Sequence, residues 1–206
     1  MPALYIADGH HRAASASRAA ATLGGQGGRV SDASRFIAVA FPDDQVHILP
    51  YNRIVRDLAG LTPEAVIAAV RAGGVGVAPG TPVPGRAGLV SMLLGGAWHT
   101  LTLPPSPKDA PRADTLDVDV LQRTVLGPVL KIGDPRTDKR IDFVGGIRGT
   151  AELTRLVGEG RAAAAFSLHP VSAADLMAIA DAGGIMPPKS TWFEPKLRDG
   201  LLVHLI

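Results

Sequence analysis

Tyr5-Ile6-Ala7-Asp8-Gly9-His10-His11-Arg12 joins a short apolar run to an aspartate–glycine break, followed by two imidazoles and a guanidinium. Residues 3–7 are apolar and predict a buried strand. The alanine-rich stretch from His10 to Leu23 predicts a helix. Asp8 suits its N-cap, since an aspartate there accepts from amides two and three residues on. Gly24, Gly25, Gly27 and Gly28 predict a loop that ends the helix. This strand–glycine–helix unit, among hairpin signals further on, points to an α+β class with a mixed sheet and flanking helices.

Working outward, Arg35–Phe41 and Gln45–Tyr51 read as strands joined through Pro42-Asp43-Asp44. Thr62-Pro63-Glu64 opens a helix that runs to Gly73-Gly74, with threonine as cap and proline at the first position. Val75–Ala78 reads as a short strand, and Leu89–Leu94 with Trp98–Leu103 as a hairpin through Gly95-Gly96-Ala97. Asp117–Leu130 looks helical, with Gly127-Pro128 disturbing its end. Ile141–Val144, Arg161–Leu168 and Leu201–Ile206 are further strand candidates, and Thr150–Val157 a helix. Ser172-Ala173-Ala174-Asp175 has capping-box spacing and starts another helix, which ends at Gly183-Gly184. The proline-rich stretch from Pro104 to Pro111 is the best linker candidate. The expected organisation is an α/β lobe at 1–103, a linker at 104–113 and an α+β lobe at 114–206.

The 206 residues are 46% hydrophobic and 19% charged, a globular rather than a disordered composition. No apolar run reaches the length of a membrane span, and the first residues lack the basic and apolar regions of a secretory signal, so a cytoplasmic protein is expected. Cysteine is absent, which excludes disulfides and thiolate sites. The pI near 9.2 suggests nucleic acid. However, 21 basic residues face 19 acidic ones, the basic residues are scattered, and aromatics are only 4%. The electrostatic footprint and stacking platform of a nucleic-acid binder are both missing.

The chemistry concentrates at the first motif. Free amides and the dipole make a helix N-terminus a seat for anions. Gly9 allows close approach of a ligand oxygen, and Arg12 adds a planar fork for phosphate or carboxylate. Successive helix positions diverge by about 100°, so His10 and His11 cannot meet one atom and do not by themselves make a zinc site. Asp8 either caps the helix, with Arg12 as its salt-bridge partner, or stands free as a base or magnesium ligand. The second motif is Met186-Pro187-Pro188-Lys189-Ser190-Thr191-Trp192-Phe193-Glu194-Pro195-Lys196. Its three prolines stiffen the backbone. It reads either as a rigid crossover anchored by Trp192 and Phe193, or as a loop offering Lys189, Ser190 and Thr191 to phosphate. It lacks the glycine-rich lead-in of a P-loop. His169, at a strand end, is a further site candidate.

These two motifs, with Pro50-Tyr51-Asn52-Arg53 between them, resemble domain-of-unknown-function family 1015. That family is placed with the ParB/sulfiredoxin-like superfamily and is related to archaeal ADP-dependent free-serine kinases. The resemblance implies that Gly9, His10, His11 and Arg12 hold nucleotide phosphates, with Asp8 beside them. It implies ADP or ATP as the nucleotide and magnesium as its companion, with Asp8 and His11 in catalytic roles. Lys189, Ser190 and Thr191 are expected, on their own chemistry, as a second phosphate-binding group; no zinc, haem or disulfide is expected. Family members are longer, so the chain is expected to correspond to their C-terminal part and to form an incomplete domain. Asn52 stands where the family pattern has a histidine. The implied function is a nucleotide- or phosphate-binding enzyme, in the manner of a small-molecule phosphotransferase. The alternative is a ParB-like, nucleotide-dependent regulatory or nucleic-acid-binding module.

Overall fold

A computed structural model describes residues 3–23, 32–198, 200 and 202–204. Among them run α1 (His10–Leu23), β1 (His47–Val55), α2 (Pro63–Ala72), β2 (Gly76–Pro79), β3 (Leu89–Leu94) and β4 (Ala97–Thr102). There follow α3 (Asp117–Leu121), β5 (Ile141–Gly145), α4 (Gly149–Gly158), β6 (Ala164–Leu168), α5 (Ala173–Asp181) and β7 (Thr191–Glu194). The strands form one sheet in the order β2-β4-β3-β6-β1-β5, with β7 pairing β1 beside that path. The β1/β5, β1/β6, β2/β4, β3/β4 and β3/β6 pairings are antiparallel. The class is α+β, as the sequence implies. No helix among the described residues is long and apolar enough to cross a membrane.

The chain divides into two units, residues 1–47 with 193–206 and residues 48–192. In the second unit, local chemistry sets the element ends. The Thr62 side chain accepts from the Ala65 amide at 3.3 Å, and Pro63 opens α2 with φ already suited to a helix. Gly95 and Gly96 turn the β3–β4 hairpin at φ +58° and +81°, values a two-residue turn demands and glycine adopts freely. Ser172 and Asp175 close a reciprocal capping box on α5. The helix expected over Asp117–Leu130 is shorter. After Leu121 the turn widens, so that the Gly127 amide donates to the Gln122 carbonyl at 2.9 Å. Pro128 has no N–H, and its ring crowds the carbonyl four residues back, so regular winding stops there.

Neighbouring residues on one strand fall into different apolar clusters, which assigns the two faces of the sheet. Val55, Met92, Leu94, Ala164 and Phe166 pack with Val66 and Val70 of α2, Leu121 of α3 and Ile179 of α5. Ile54, Leu93, Val144 and Ala165 pack on the other face, against Leu153 and Leu156 of α4. A polar row, buried at Asn52, Ser91 and Ser167, also crosses that second face. Thr100 lies opposite Ser91, and Ser91 opposite Ser167. Asn52, which shares parity with Ile54, accepts from the Leu168 amide at 3.1 Å. Ser91 Oγ has no hydrogen-bond partner among the described residues.

The first unit is built differently. No residue of α1 is buried. Residues 3–7 and Arg35–Phe41, read as strands from sequence, carry no strand structure, and Phe36, Ile37, Val39 and Phe41 are exposed. Pro42-Asp43-Asp44 is no hairpin either; Asp43–Gln45 forms a 3-10 turn leading into β1. The reason is the same for each: strand composition is local, whereas a strand exists only through its pairing. The loop expected at Gly24–Gly28 lies outside the described residues. So do residues 201, 205 and 206 of the last predicted strand, while 202–204 have no strand structure.

Candidate functional site

Within the first unit, Gly9 rather than Asp8 stands at the head of α1. Its φ is +90°, and its carbonyl accepts the Ala13 amide at 3.0 Å. An L side chain resists that φ, so glycine takes the turn and Asp8 falls one residue outside the cap position. The Asp8 carboxylate instead accepts from the Gly9 amide at 2.8 Å and from Lys196 Nζ at 2.8 Å. The Lys196 hydrogen bond lowers the Asp8 pKa most. Partial burial opposes it, and the Lys196 charge, the Gly9 amide and Arg12 reinforce it. The carboxylate is thus ion-paired with Lys196, a residue that sequence reasoning placed in the second motif but not among the site residues, and the Arg12 charge acts on it as well.

Arg12 folds back over the glycine. A Cβ at Gly9 would meet Arg12 Nε at 3.0 Å and Nη2 at 3.1 Å, so the bare glycine makes room for the guanidinium. His10, His11 and Arg12 are all exposed. The leading edge of α1 is therefore exposed, with the Arg12 guanidinium over Gly9 and the Lys196 ammonium held nearby by Asp8. The residues do not fit a protein-held magnesium. Asp8 has its oxygens engaged by an amide and an ammonium, and no group of three His, Asp or Glu suited to a metal exists among the described residues.

Lys189, Ser190 and Thr191 belong to the second unit. Lys189 has φ +53°, and its Nζ lies 5.3 Å from the centre of the Tyr51 ring, a cation–π contact. Ser190 is buried and donates to the Pro187 carbonyl at 2.8 Å, a turn-closing role. Thr191 begins β7. Beneath them, Arg53 of β1 is 3% exposed and has no carboxylate partner among the described residues. Its guanidinium donates to the Tyr51 carbonyl, to Lys189 O at 3.1 Å and to Pro188 O at 3.5 Å, and lies 5.5 Å from the Phe143 ring centre. Burial pushes its pKa down to about 9, which still leaves it charged at neutral pH. Tyr51 is packed edge-on against Phe143 and Trp192.

A small cavity of about 60 Å³ opens beside this group, lined among others by Tyr51, Ser190, His169 and Asp117. Burial raises the Asp117 carboxyl pKa, while the Gly88 amide and His169 act against that rise. His169 Nδ1 lies 3.0 Å from the Pro170 carbonyl. A proton on Nδ1 makes that contact a hydrogen bond and leaves Nε2 as an acceptor. From sequence, the strand ends at Tyr51 and the arginines after it read as a solvated face, whereas β1 runs on to Val55 and buries Arg53.

No curated protein matches the chain. Among solved structures it is similar to a mutant free serine kinase in complex with AMP, at 16% identity and a TM-score of 0.48, over 91% of this chain and 66% of that one. A free serine kinase in complex with AMP gives 14% identity and a TM-score of 0.48 over the same shares. A conserved hypothetical protein from Pyrococcus furiosus gives 16% and 0.48, over 91% of this chain and 68% of that one. The chain thus spans 66% of the length of the free serine kinase it resembles. At family level the match is direct: the family described as "Protein of unknown function (DUF1015)" covers residues 1–121, more than half of the chain. The chain belongs to the DUF1015 family.

Proposed function

We propose that the chain is the nucleotide- or phosphate-binding part of an enzyme, with ADP or ATP as ligand, that transfers a phosphoryl group to a small hydroxyl compound. The observation that supports this reading best is the open head of α1, where Arg12 lies over Gly9 and Lys196 is paired with Asp8. The amides at the start of α1 lack partners within the helix and suit a phosphate. Arg12 supplies a bidentate fork, and Lys196 a point charge kept in place by Asp8. With its pKa held down, Asp8 is a weak proton acceptor, so its part here is to position Lys196. His11, exposed on the first turn, takes the proton of the attacking hydroxyl. As that oxygen bonds to phosphorus, the bond to the bridging oxygen breaks and the nucleotide leaves with one phosphate fewer. Lys189, Ser190 and Thr191 form the second phosphate-binding group in this reading. Ser190 is already engaged by Pro187, which leaves Lys189 as the principal cation. The motif's placement in the ParB/sulfiredoxin-like superfamily is part of the same proposal.

Calorimetry with ADP, ATP, CTP and pyrophosphate tests it. Saturable heat with at least one, weakened about tenfold or more by Arg12→Ala, is the expected result. Silence with all four, or an affinity unaltered in Arg12→Ala, overturns it.

A further inference from the structure

On the sheet face that carries α4, the helix leaves the outer corner uncovered. The result is a cleft of about 440 Å³ between the end of β1, the edge strand β5 and the loop after α4. That volume lies within the range of small-molecule sites, roughly 300–1,000 Å³. Its lining includes Ile54, Val144 and Leu156, three buried residues of the apolar cluster under α4. Three arginines, Arg56, Arg148 and Arg161, also line it, against two carboxylates, Asp142 and Glu152.

The arginines are poorly neutralised. Arg56 and Asp142 lie 3.5 Å apart, and both side chains are more than half exposed, so their pairing is loose and screened. Arg148 lies 3.6 Å from Glu152. That carboxylate is already held by two shorter bonds from Arg155, at 2.8 and 2.9 Å, and Arg155 is outside the cleft lining. Arg161 makes no ion pair within 4.0 Å among the described residues, and its charge acts at longer range on Glu152, the carboxylate already held by Arg155. In the loop after α4, Gly160 has a φ of +69° and open space where a Cβ would stand, which leaves the corner free beside Arg161.

We propose that this cleft binds a small phosphomonoester with an apolar body, the phosphate meeting Arg56, Arg148 and Arg161 and the body lying on Ile54, Val144 and Leu156. A phosphate carries three acceptor oxygens and nearly two charges, which suits three guanidinium groups better than a single carboxylate does. The site belongs wholly to the second unit and does not depend on the head of α1.

The test is an NMR titration of the full chain with phenyl phosphate, with inorganic phosphate as comparison. Saturable amide shifts at residues 142–144 and 160–161 are expected, with affinity for phenyl phosphate about tenfold above that for phosphate. Arg56→Ala and Arg161→Ala each lower the affinity about fivefold or more, whereas Arg123→Ala, outside the cleft lining, leaves it unchanged. Both cleft arginines are exposed, and an unchanged urea midpoint verifies that the variants fold. The proposal is overturned by absence of saturable shifts up to about 10 mM ligand. Binding that survives the Arg56→Ala/Arg161→Ala double variant, or that Arg123→Ala abolishes, overturns it as well.

Discussion

Lys196 and Asp8 stand 188 residues apart in the chain, yet Lys196 Nζ donates to Asp8 Oδ2 over 2.8 Å. The last cation of the second motif is thereby attached to the entrance of the first. Lys196→Met removes one positive charge from that entrance and releases Asp8. Nucleotide or pyrophosphate affinity is expected to fall about fivefold or more, as calorimetry would show. The variant also changes acid behaviour. The Asp8 pKa is lowered in the fold, so its stabilising contribution is present above the unfolded value near 3.8 and disappears as pH falls through the lower folded value. In Lys196→Met the acid unfolding curve below about pH 4 should therefore become shallower. An identical curve would mean that the ion pair carries no weight in solution.

Gly9→Ala places a methyl group 3.0 Å from Arg12 Nε at a φ of +90°. The backbone cost is about 1–2 kcal/mol for an L residue in left-handed space. The larger consequence concerns Arg12, which must leave its seat over residue 9. Affinity for pyrophosphate should drop by as much as in Arg12→Ala, and the Gly9→Ala/Arg12→Ala double variant should be little worse than either alone. Additive losses in calorimetry would separate the two residues.

Arg53→Met tests the buried guanidinium. The substitution removes the donors that hold the Tyr51 and Lys189 carbonyls, and we expect a loss of about 2–4 kcal/mol in urea unfolding. Trp192 packs on Tyr51, so its fluorescence should shift even where the variant remains folded. A stability within about 0.5 kcal/mol of the parent would show that the cost of burying the charge had cancelled its hydrogen bonds.

Ser91→Ala acts in the opposite direction. Ser91 Oγ is buried on the second sheet face without a partner, so deleting it should be neutral or stabilising by about 1 kcal/mol in urea unfolding. Clear destabilisation would point to an ordered water bonded to that hydroxyl.

What could be read in advance follows the range of the forces involved. α2, the β3–β4 hairpin and α5 were legible because Thr62, Gly95-Gly96 and Ser172/Asp175 act over two to four residues. Arg35–Phe41 misled because apolar, β-prone composition says nothing about which strand will pair with it. Asp8 was misread by one position, since the left-handed turn at Gly9 moves the start of the helix past it. Its partner Lys196, and the grip of Arg53 on Lys189, span more than a hundred residues and leave no periodic trace in the chain.

Arg53 grasps residues 188 and 189 by their carbonyl oxygens rather than by their side chains. Main-chain oxygens are common to every amino acid, so that anchor survives a change of side chain at either position. The shape of this loop and its chemistry are consequently separable. The lysine at 189 can be exchanged for another cation, a neutral group or an acid while the strand underneath still holds the same two carbonyl oxygens.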